Sequence, residues 1–381
     1  MRIYRVDIND YKKFLEKLGL SRGGVEIISD KMELFYILIK DIKTPAANIL
    51  KQDALSIGAE VAVPKGVVDC SIKSCDVLLI ANKAQLKRLT KKELLQPFGL
   101  KEIGRKLEEL SKGKEVNRVE LMGVINANSD SFYQGSRFVG EDAIKRIKEL
   151  ISEGADIIDI GGVSSRPGSD MIDSKEELLR VKDICDFIKK EKLFREYTFS
   201  IDSYNYEVIE YALRSGFKII NDITAARDER HFELAKEYGA KIVLMHMQGT
   251  PKDMQKNPYY EDVISEVDAF FEERIKRAFS YGLDIEDIIL DVGIGFGKRL
   301  EDNLLLLKHH KHFSHFGAKL LVGASRKSMI DKIVPTPVEE RLPGTLAIHL
   351  KAVENGASII RAHDIKEHYQ ALKVYEAIEN I

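Results

Sequence analysis

The chain is poor in cysteine, which excludes a scaffold held together by disulfides. Its 381 residues include three cysteines, Cys70, Cys75 and Cys185. Three cysteines cannot all pair with one another, and their spacing matches no zinc-binding motif. We therefore expect all three to behave as small buried hydrophobic residues.

Long apolar runs are also absent. The N-terminal segment MRIYRVDIND lacks the apolar core of a secretion signal. No apolar run approaches the roughly 20 residues that a membrane-spanning helix needs. We therefore expect a cytoplasmic protein that does not bind the membrane.

The third absence is an excess of charge of one sign. Lys and Arg together number 59, and Asp and Glu number 61, which gives a net charge of −2. So small a net charge produces no long-range field that would draw a polyanion to the surface. General binding of nucleic acid is therefore not expected.

The length of the chain allows one large domain and a smaller one. The polar stretch LSKGKEVNR, residues 110–118, follows a helical pattern and precedes a strand-like one, so we predict a linker with a boundary near residue 115. Residues 1–115 combine short strand-like runs with helical spacing of Leu, Ile and Ala, which predicts a small α/β domain. Its sequence contains no motif with an assignable chemistry, and a docking or dimer-stabilising role is the simplest interpretation.

Residues 116–381 alternate eight short runs rich in Val and Ile with amphipathic stretches. Continuous apolarity predicts strands covered on both faces, and eight βα units in about 250 residues are typical of a (β/α)8 TIM barrel. An open doubly wound sheet has the same alternation. The barrel is favoured because every run ends on polar or ionisable residues, which a closed barrel would gather at one rim. These are Asn126, Asp159, Asp202, Asn221, His246, Asp291, Arg326 with Lys327, and Arg361 with His363.

The types of residue at this rim suit a flat heterocycle that carries an anion. Carboxylates, amides and Lys327 satisfy a ring with both donor and acceptor edges, because each buried edge atom needs a partner. Arg361 and His363 follow the eighth run, and the loops after strands seven and eight of a barrel commonly bind phosphate. The sequence therefore predicts a phosphorylated heterocyclic substrate.

Two glycine-rich segments lie near the predicted rim. GIGFGK, residues 293–298, matches neither a dinucleotide-binding fingerprint nor a Walker A loop, and we expect a tight turn there. GASRKS, residues 323–328, follows the seventh run and opens a helical pattern. Its backbone N–H groups and the Ser328 hydroxyl either bind an anion such as a carboxylate or simply cap the helix.

A histidine-rich segment suggests a metal site at first sight. KHHKHFSH, residues 308–315, contains His309, His310, His312 and His315. It lies between the sixth and seventh runs, after a helical stretch, and this order directs it away from the rim where barrel chemistry occurs. We therefore expect a solvated helix end rather than a site.

From about residue 118 to the end, the chain resembles the dihydropteroate synthases of the pterin-binding enzyme family. The segments GVINANSDSFYQGS, residues 123–136, and GADIIDIGGVSSRPG, residues 154–168, are similar to the two long motifs of that family. Six shorter matches follow in the family's order. They are SIDSY from residue 200, IINDI from 219, LMHMQGTP from 244, ILDVGIGFGK from 289, VGASRKSMI from 322 and IIRAHD from 359.

The resemblance implies a condensation of 6-hydroxymethyl-7,8-dihydropterin pyrophosphate with p-aminobenzoate, which gives 7,8-dihydropteroate and pyrophosphate through a cationic pterin-methylene intermediate. It assigns the pterin to Asp159, Asp202, Asn221, Met245, Asp291, Phe296 and Lys327. It assigns p-aminobenzoate to Phe132, Ser165, Arg166, Pro167 and Ser328. It assigns pyrophosphate to Asn126, Arg361 and His363, and Asn126 would act through Mg²⁺.

Under the same resemblance, the catalytic residues are Asp202, Asp291, Lys327 and Asp130. They would act by position and charge, and no protein nucleophile is needed. Polar residues after the first run would close over the reactive cation and exclude water. The family also suggests a homodimer.

The sequence departs from the family pattern mainly in two loops. Asn128 and Ser129 stand where the family has Thr and Pro, Gln134 where it often has Asp, and Val163 where it has Glu; Ser165 and Val292 replace Thr and Pro. Only Asp130 then remains in the first loop to stabilise a cation. Two alternatives stay open, a methyltetrahydrofolate-dependent corrinoid methyltransferase and a non-catalytic pterin-binding protein.

Overall fold

We describe the protein from a computed structural model, which defines residues 3, 4, 6, 8, 10–111, 118–127, 141–163 and 172–379. The chain divides into two compact units, Met1–Val116 and Asn117–Ile381. Each unit has its own buried apolar core.

The N-terminal unit is a three-stranded antiparallel sheet with helices. The strands β1 (Leu34–Lys43), β2 (Glu60–Ala62) and β3 (Ser74–Asn82) lie in the order β1-β3-β2. The helices are α1 (Tyr11–Lys17), α2 (Arg22–Met32), α3 (Thr44–Leu55), α4 (Lys83–Glu93) and α5 (Leu100–Ser111). The prediction of a small α/β domain is confirmed, although the sequence reasoning missed β1.

The end of β3 shows how local sequence sets this fold. Val77, Leu79 and Ala81 are buried and alternate with more exposed residues, the period of two expected for a strand with one covered face. Asn82 then caps α4, because its side chain accepts from the Gln85 backbone N–H at 2.9 Å while the Gln85 side chain accepts from that of Asn82 at 2.8 Å. Strand and helix therefore join without a loop.

The C-terminal unit contains eight parallel strands that close into a barrel in the order β10-β11-β4-β5-β6-β7-β8-β9. β11 pairs with both β4 and β10, so the last strand closes the ring. The prediction of a TIM barrel is confirmed. The strands are β4 (Glu120–Asn126), β5 (Ile157–Gly161), β6 (Thr198–Asp202), β7 (Ile219–Asp222), β8 (Lys241–Met245), β9 (Ile288–Asp291), β10 (Lys319–Val322) and β11 (Ile359–Ala362).

Helices cover the outside of the barrel and bury the apolar outer faces of the strands. They are α6 (Glu141–Glu153), α7 (Ser174–Glu191), α8 (Tyr206–Arg214), α9 (Arg230–Tyr238), α10 (Val263–Ser280), α11 (Leu300–Lys308), α12 (Ser328–Ile333), α13 (Leu342–Glu354) and α14 (Ile365–Glu379). Short 3-10 helices occur at Leu193–Arg195, Ile285–Asp287, His310–Phe316 and Val338–Glu340.

The cysteines correct one expectation from the sequence. Cys185 is buried, as predicted, but Cys75 is half-buried and Cys70 is exposed. Cys70 lies in a loop with a left-handed backbone, φ 57°, rather than in an element that could cover it.

Among the described residues, no helix combines the length and apolarity that crossing a bilayer requires. The cytoplasmic location remains a prediction.

Candidate functional site

An apolar layer fills the interior of the barrel. Its members are Met122, Ile157, Ile219, Val243, Ile289, Leu321 and Ile359. Side chains alternate between the two faces of a strand, so a residue two places further on points the same way, one layer nearer the carboxyl end. Two places after Ile157, Ile219, Ile289 and Ile359 stand Asp159, Asn221, Asp291 and Arg361. The strand period therefore brings four predicted site residues into one polar layer above the apolar one.

Arg361 connects the carboxylates of this layer. Its Nε donates to Asp159 Oδ2 at 2.7 Å, and its Nη2 donates to Asp202 Oδ2 at 2.6 Å. Asn221 Nδ2 donates to the same oxygen of Asp159 at 3.0 Å. The other carboxylate oxygen, Asp159 Oδ1, is buried and has no hydrogen-bond partner among the described residues. One acceptor is thus available in the floor of the site.

Burial and charge set the ionisation of these groups. Burial raises the pKa of Asp202 to about 7, against the opposing effect of Arg361. Burial alone would lower the pKa of Arg361, but the carboxylates of Asp159 and Asp202 outweigh it and raise that pKa. The guanidinium therefore stays cationic, while burial and the charge of Asp159 oppose the ionisation of Asp202.

Asp291 and Lys327 form the opposite side of the site. Asp291 Oδ1 accepts from the Gly293 backbone N–H at 2.7 Å, and Lys327 Nζ donates to the Ile294 carbonyl. Lys327 Nζ also lies 4.4 Å from the centre of the Phe296 ring, a cation–π contact. Burial raises the pKa of Asp291, opposed by Lys327, and burial lowers the pKa of Lys327 to about 8, opposed by Asp291.

The other predicted residues of the barrel occupy the same end of their strands. Asn126 ends β4 and is paired in register with Gly161 of β5, and the buried Met245 ends β8. His363 follows β11, and its Nδ1 lies 2.8 Å from Ser325 Oγ. Burial lowers the pKa of His363 to about 3, so the ring is neutral and would bind an anion by donating a hydrogen rather than by charge.

Some residues do not lie where the sequence placed them. Asp159 is inside β5, because that strand continues to Gly161. Arg326 and Lys327 lie in the loop beyond Val322, the end of β10, and Ser328 is the exposed first residue of α12.

The predicted residues Asp130, Phe132, Ser165, Arg166 and Pro167 lie outside the described residues, as do the departures Asn128, Ser129 and Gln134. Val163, the departure at the end of the β5 segment, is described and buried.

Arg326, which the sequence placed at the rim beside Lys327, has a structural role that the sequence did not identify. It has a left-handed backbone, φ 54°, and its guanidinium pairs with both oxygens of Asp364 at 2.9 and 2.7 Å. It also donates to the carbonyls of Val338 and Glu339, at 2.9 and 2.6 Å. These bonds tie the loop that carries Lys327 to the loop after β11, which carries His363.

Lys298 is a second residue that sequence reasoning missed, although it ends the GIGFGK segment. Its Nζ is buried and lies 3.0 Å from both Nδ1 and the carbonyl of His246 and 3.1 Å from the Phe296 carbonyl. Burial lowers the pKa of Lys298 to about 7. His246, predicted as a rim residue, is therefore a partner of Lys298 that fixes the loop after β9.

Glu177 supports the end of β6 from α7. Its Oε2 accepts from Ser203 Oγ at 3.0 Å and from Asn205 Nδ2 at 2.5 Å. Burial raises its pKa to about 7. The only local sequence signal would have been a Glu near the start of a helix, which is usually a solvated charge.

The histidine-rich segment agrees in part with the expectation of a solvated helix end, since His309, His312 and His315 are exposed, and His310 is the exception. His310 is fully buried, and its Nδ1 lies 3.3 Å from the Asn355 carbonyl. His312 and His315 both contact Asp268 of α10, which lies 44 and 47 positions away in sequence. The sequence did not identify Asp268, because a lone Asp inside an amphipathic helix carries no local signal.

A closed parallel barrel whose rim sets carboxylates and amides against Lys327 and Arg361 defines the class as a TIM-barrel enzyme for an anionic heterocyclic substrate. The family model described as "Pterin binding enzyme" matches residues 122–363. The chain therefore belongs to the pterin-binding enzyme family. Within that family it is a dihydropteroate synthase, a transferase of folate biosynthesis, as the following relatives show.

Three curated relatives support this. The bifunctional dihydropteroate synthase/dihydropteroate reductase of Helicobacter pylori is 41% identical over 379 residues, which cover 100% of this chain and 99% of that one. The dihydropteroate synthase of Escherichia coli is 42% identical over 264 residues, 69% of this chain and 93% of that one. A probable bifunctional folylpolyglutamate synthase/dihydropteroate synthase of Halobacterium salinarum is 35% identical over 97% of this chain and 46% of its own length.

Solved structures agree. A Yersinia pestis dihydropteroate synthase in complex with a sulfonamide drug has a TM-score of 0.66 and 36% identity, covering 70% of this chain and 96% of that one. The Xanthomonas albilineans enzyme with 4-aminobenzoic acid has a TM-score of 0.64 and 35% identity, covering 70% and 95%.

Proposed function

We propose that the polar layer of the barrel binds the pterin pyrophosphate and stabilises the charges that develop as pyrophosphate leaves. The observation that carries this proposal is the chain of contacts Asn221–Asp159–Arg361–Asp202 inside the barrel. It places acceptors and donors for a flat ring beside a cation that can attract an anion.

The proposed pterin contacts follow from the hydrogen-bonding capacity of each residue. Asp159 Oδ1, buried without a partner among the described residues, can accept from the ring, as can Asp291. Asn221 and Lys327 can donate to ring acceptors. Met245 and Phe296 supply apolar contact, and Asp202 balances positive charge.

Arg361 and His363 are the proposed pyrophosphate ligands. Arg361 donates hydrogen bonds to two carboxylates. Its side chain therefore has to exchange some of these hydrogen bonds for bonds to the incoming anion. His363 is neutral and would donate one hydrogen bond from its ring. The C–O bond to pyrophosphate then breaks, and the electron pair leaves with the pyrophosphate.

The remaining methylene cation is conjugated with the pterin, and the carboxylates stabilise it until the amine of p-aminobenzoate attacks. The new C–N bond forms and the amine proton passes to solvent. Preorganised charges of this kind commonly supply the largest share of catalysis. Neither Asp202 nor Asp291 has to act as a nucleophile.

Mg²⁺ fits this site by the chemistry of its donors. The side-chain oxygen of Asn126 is a hard neutral ligand, and Mg²⁺ typically takes one or two protein oxygens and fills its shell with waters and substrate phosphates. When bound, Mg²⁺ would neutralise negative charge on pyrophosphate. We propose Asn126 as its protein ligand.

The assay combines the full chain with Mg²⁺, dihydropterin pyrophosphate and p-aminobenzoate, and measures pyrophosphate and dihydropteroate. Asp291→Asn and Asn221→Ala are expected to lower kcat/KM at least 100-fold, because each leaves a buried ring atom unpaired. Asp228→Asn, a surface change beside Arg230, is the matched control. Tight pterin binding without product would instead indicate a non-catalytic pterin-binding protein.

A second activity, reduction of dihydropteroate, is proposed because the Helicobacter pylori relative described as bifunctional matches the whole chain, including the N-terminal unit. In this reaction a hydride from a reduced nicotinamide and a proton reduce one C=N bond of the pterin ring. The Halobacterium salinarum relative also matches the N-terminal region and is not described as a reductase. Possession of the N-terminal unit alone therefore does not decide this activity.

The reductase proposal is tested by oxidation of NADH or NADPH in the presence of dihydropteroate, with and without added flavin. The full chain and a variant lacking residues 1–115 are compared. The synthase activity of the shortened chain is expected to remain, since the Escherichia coli relative matches over the barrel and over 93% of its own length. No oxidation by the full chain would disprove the second activity.

We also propose a homodimer. Tyr369, Val374 and Ile378 of α14 are exposed apolar residues on one helix, and exposed apolar patches commonly mark subunit contacts. Light scattering of the full chain and of Val374→Asp tests this. A monomeric mass for the unchanged chain at micromolar concentration would contradict it.

A further inference from the structure

We propose that Asp268, His312 and His315 form a binding site for a transition-metal ion of the zinc type on the outer surface of the barrel. Their ligand atoms, one from each residue, lie within 4.8 Å of one another. This site is separate from the rim, because the 3-10 helix His310–Phe316 leads into the amino end of β10. Asp291 ends β9, and Lys327 follows the carboxyl end of β10.

The local backbone explains why two histidines point the same way. A 3-10 helix has three residues per turn, so side chains three positions apart eclipse one another. His312 and His315 are three positions apart in such a helix, and their ring centres are 5.1 Å apart. Both rings therefore face the same side of the segment.

Asp268 completes the set from α10. Nε2 of His312 lies 2.8 Å from Asp268 Oδ1, and Nε2 of His315 lies 2.6 Å from the same oxygen. A tetrahedral zinc ion with bonds of about 2.0–2.1 Å holds its ligand atoms roughly 3.3 Å apart. Binding therefore requires each imidazole nitrogen to move away from Asp268 Oδ1 by about 0.5–0.7 Å, which rotation of the imidazoles supplies.

Burial gives the site an inner and an outer side. The Asp268 side chain is 5% exposed, whereas those of His312 and His315 are 40% and 46% exposed. A nearly buried carboxylate is stabilised by a cation. The two exposed rings leave a path from solvent and room for a water as the fourth ligand.

Aromatic packing holds both elements in place without the ion. The ring of Phe271 in α10 makes edge contacts with Phe313 and Phe316, at centroid distances of 5.6 and 6.2 Å. Phe313 and Phe316 belong to the same 3-10 helix as the two histidines. The ligands are thus mounted on two packed elements and lose little freedom on binding.

The ligand set selects the class of metal. Two imidazoles and one carboxylate suit Zn²⁺, Co²⁺ or Ni²⁺, whereas Mg²⁺ and Ca²⁺ prefer sites made of oxygen. An ion here would join α10 to the segment before β10, and so stabilise the barrel rather than take part in the reaction. Ligands that bind only the folded state raise its stability by mass action.

The test uses tag-free full-length protein, stripped with EDTA and kept in excess Mg²⁺ so that the rim does not take up the added ion. We expect one equivalent of Zn²⁺ to bind by calorimetry, and Co²⁺ to give the visible absorption of a four-coordinate site. His312→Gln/His315→Gln is expected to lower the Zn²⁺ affinity at least 100-fold. His309→Gln, in the same segment but outside the cluster, is the matched control.

The variants are checked for folding by circular dichroism and for synthase activity with Mg²⁺, which is expected to be unchanged. Should the double variant unfold, Asp268→Asn gives the same comparison with both rings retained. Equal Zn²⁺ binding by the unchanged chain and the double variant would overturn the proposal, as would the absence of binding at tenfold excess. In the latter case the cluster is a hydrogen-bonded group alone, and the proposed reaction at the rim is unaffected.

Discussion

Nη2 of Arg361 lies 2.6 Å from Oδ2 of Asp202, and the two residues come from the last and the third strands of the barrel. The same guanidinium contacts Asp159, so one cation serves two carboxylates in the interior. The site therefore depends on a charge balance that a single substitution can disturb.

Arg361→Met is expected to lower the free energy of unfolding by about 3–5 kcal/mol, because it leaves buried carboxylates without their cation. The measurement is urea denaturation at pH 7.5. Arg214→Met is the control, since Arg214 is 62% exposed where it pairs with Glu210, and such pairs contribute about 0–1 kcal/mol. Similar losses for both variants would contradict the balance described above.

We expect kcat/KM to fall as the pH rises through about 8. The pKa of Lys327 is lowered to about 8 by burial, so the cation that donates to the substrate is lost as pH rises through that value. kcat/KM reports the pKa of the free enzyme. Lys327→Arg keeps its charge at higher pH and is expected to remove this limb, whatever its effect on the maximal rate. An unchanged limb in that variant would assign it to another group.

Glu93 of the N-terminal unit predicts a different pH effect. Its carboxylate oxygens are buried and have no partner among the described residues, and burial raises its pKa from 4.5 to about 7. Between these values the folded protein holds a proton that the unfolded chain releases, so stability falls as pH rises through this window.

Glu93→Gln should remove this fall and stabilise the protein at pH 8 by about 1–3 kcal/mol, with little change at pH 4.5. Chemical denaturation at the two pH values measures the difference. Glu102→Gln, whose side chain is 73% exposed, serves as control. A gain of the same size at both pH values would show that Glu93 acts through packing rather than through its proton.

Gly293 sits where a side chain cannot. Its φ is +66°, and an added Cβ would lie 2.0 Å from the His246 carbonyl oxygen. Gly293→Ala is expected to move the loop that follows Asp291 and to lower kcat/KM at least tenfold. Gly239→Ala is the matched control, because its φ is +57° with no heavy atom of the described chain within 4 Å. The Gly239→Ala variant should lose only about 1–2 kcal/mol of stability, because alanine disfavours a left-handed backbone, and it should keep its activity.

Much of the barrel could be predicted from the sequence because the pattern that marks a buried strand is local. Val- and Ile-rich runs at regular spacing predict buried parallel strands, and the period of two places Asp159 above Ile157 and Asn221 above Ile219. β1 was missed although LFYILI, residues 34–39, is an apolar run typical of a strand. In the structure Leu34, Tyr36 and Leu38 are exposed, so this strand has one uncovered face. Contacts between distant positions, such as Arg326 with Asp364 or His312 with Asp268, leave no local pattern and required the fold.

Because Arg361 lies on β11, the cation of the interior arrives last along the chain. When the barrel strands β4 to β10 have been made, the chain contains three inward carboxylates, Asp159, Asp202 and Asp291, and lacks the guanidinium that contacts two of them. The strand that closes the ring therefore also brings the cation that pairs with Asp159 and Asp202.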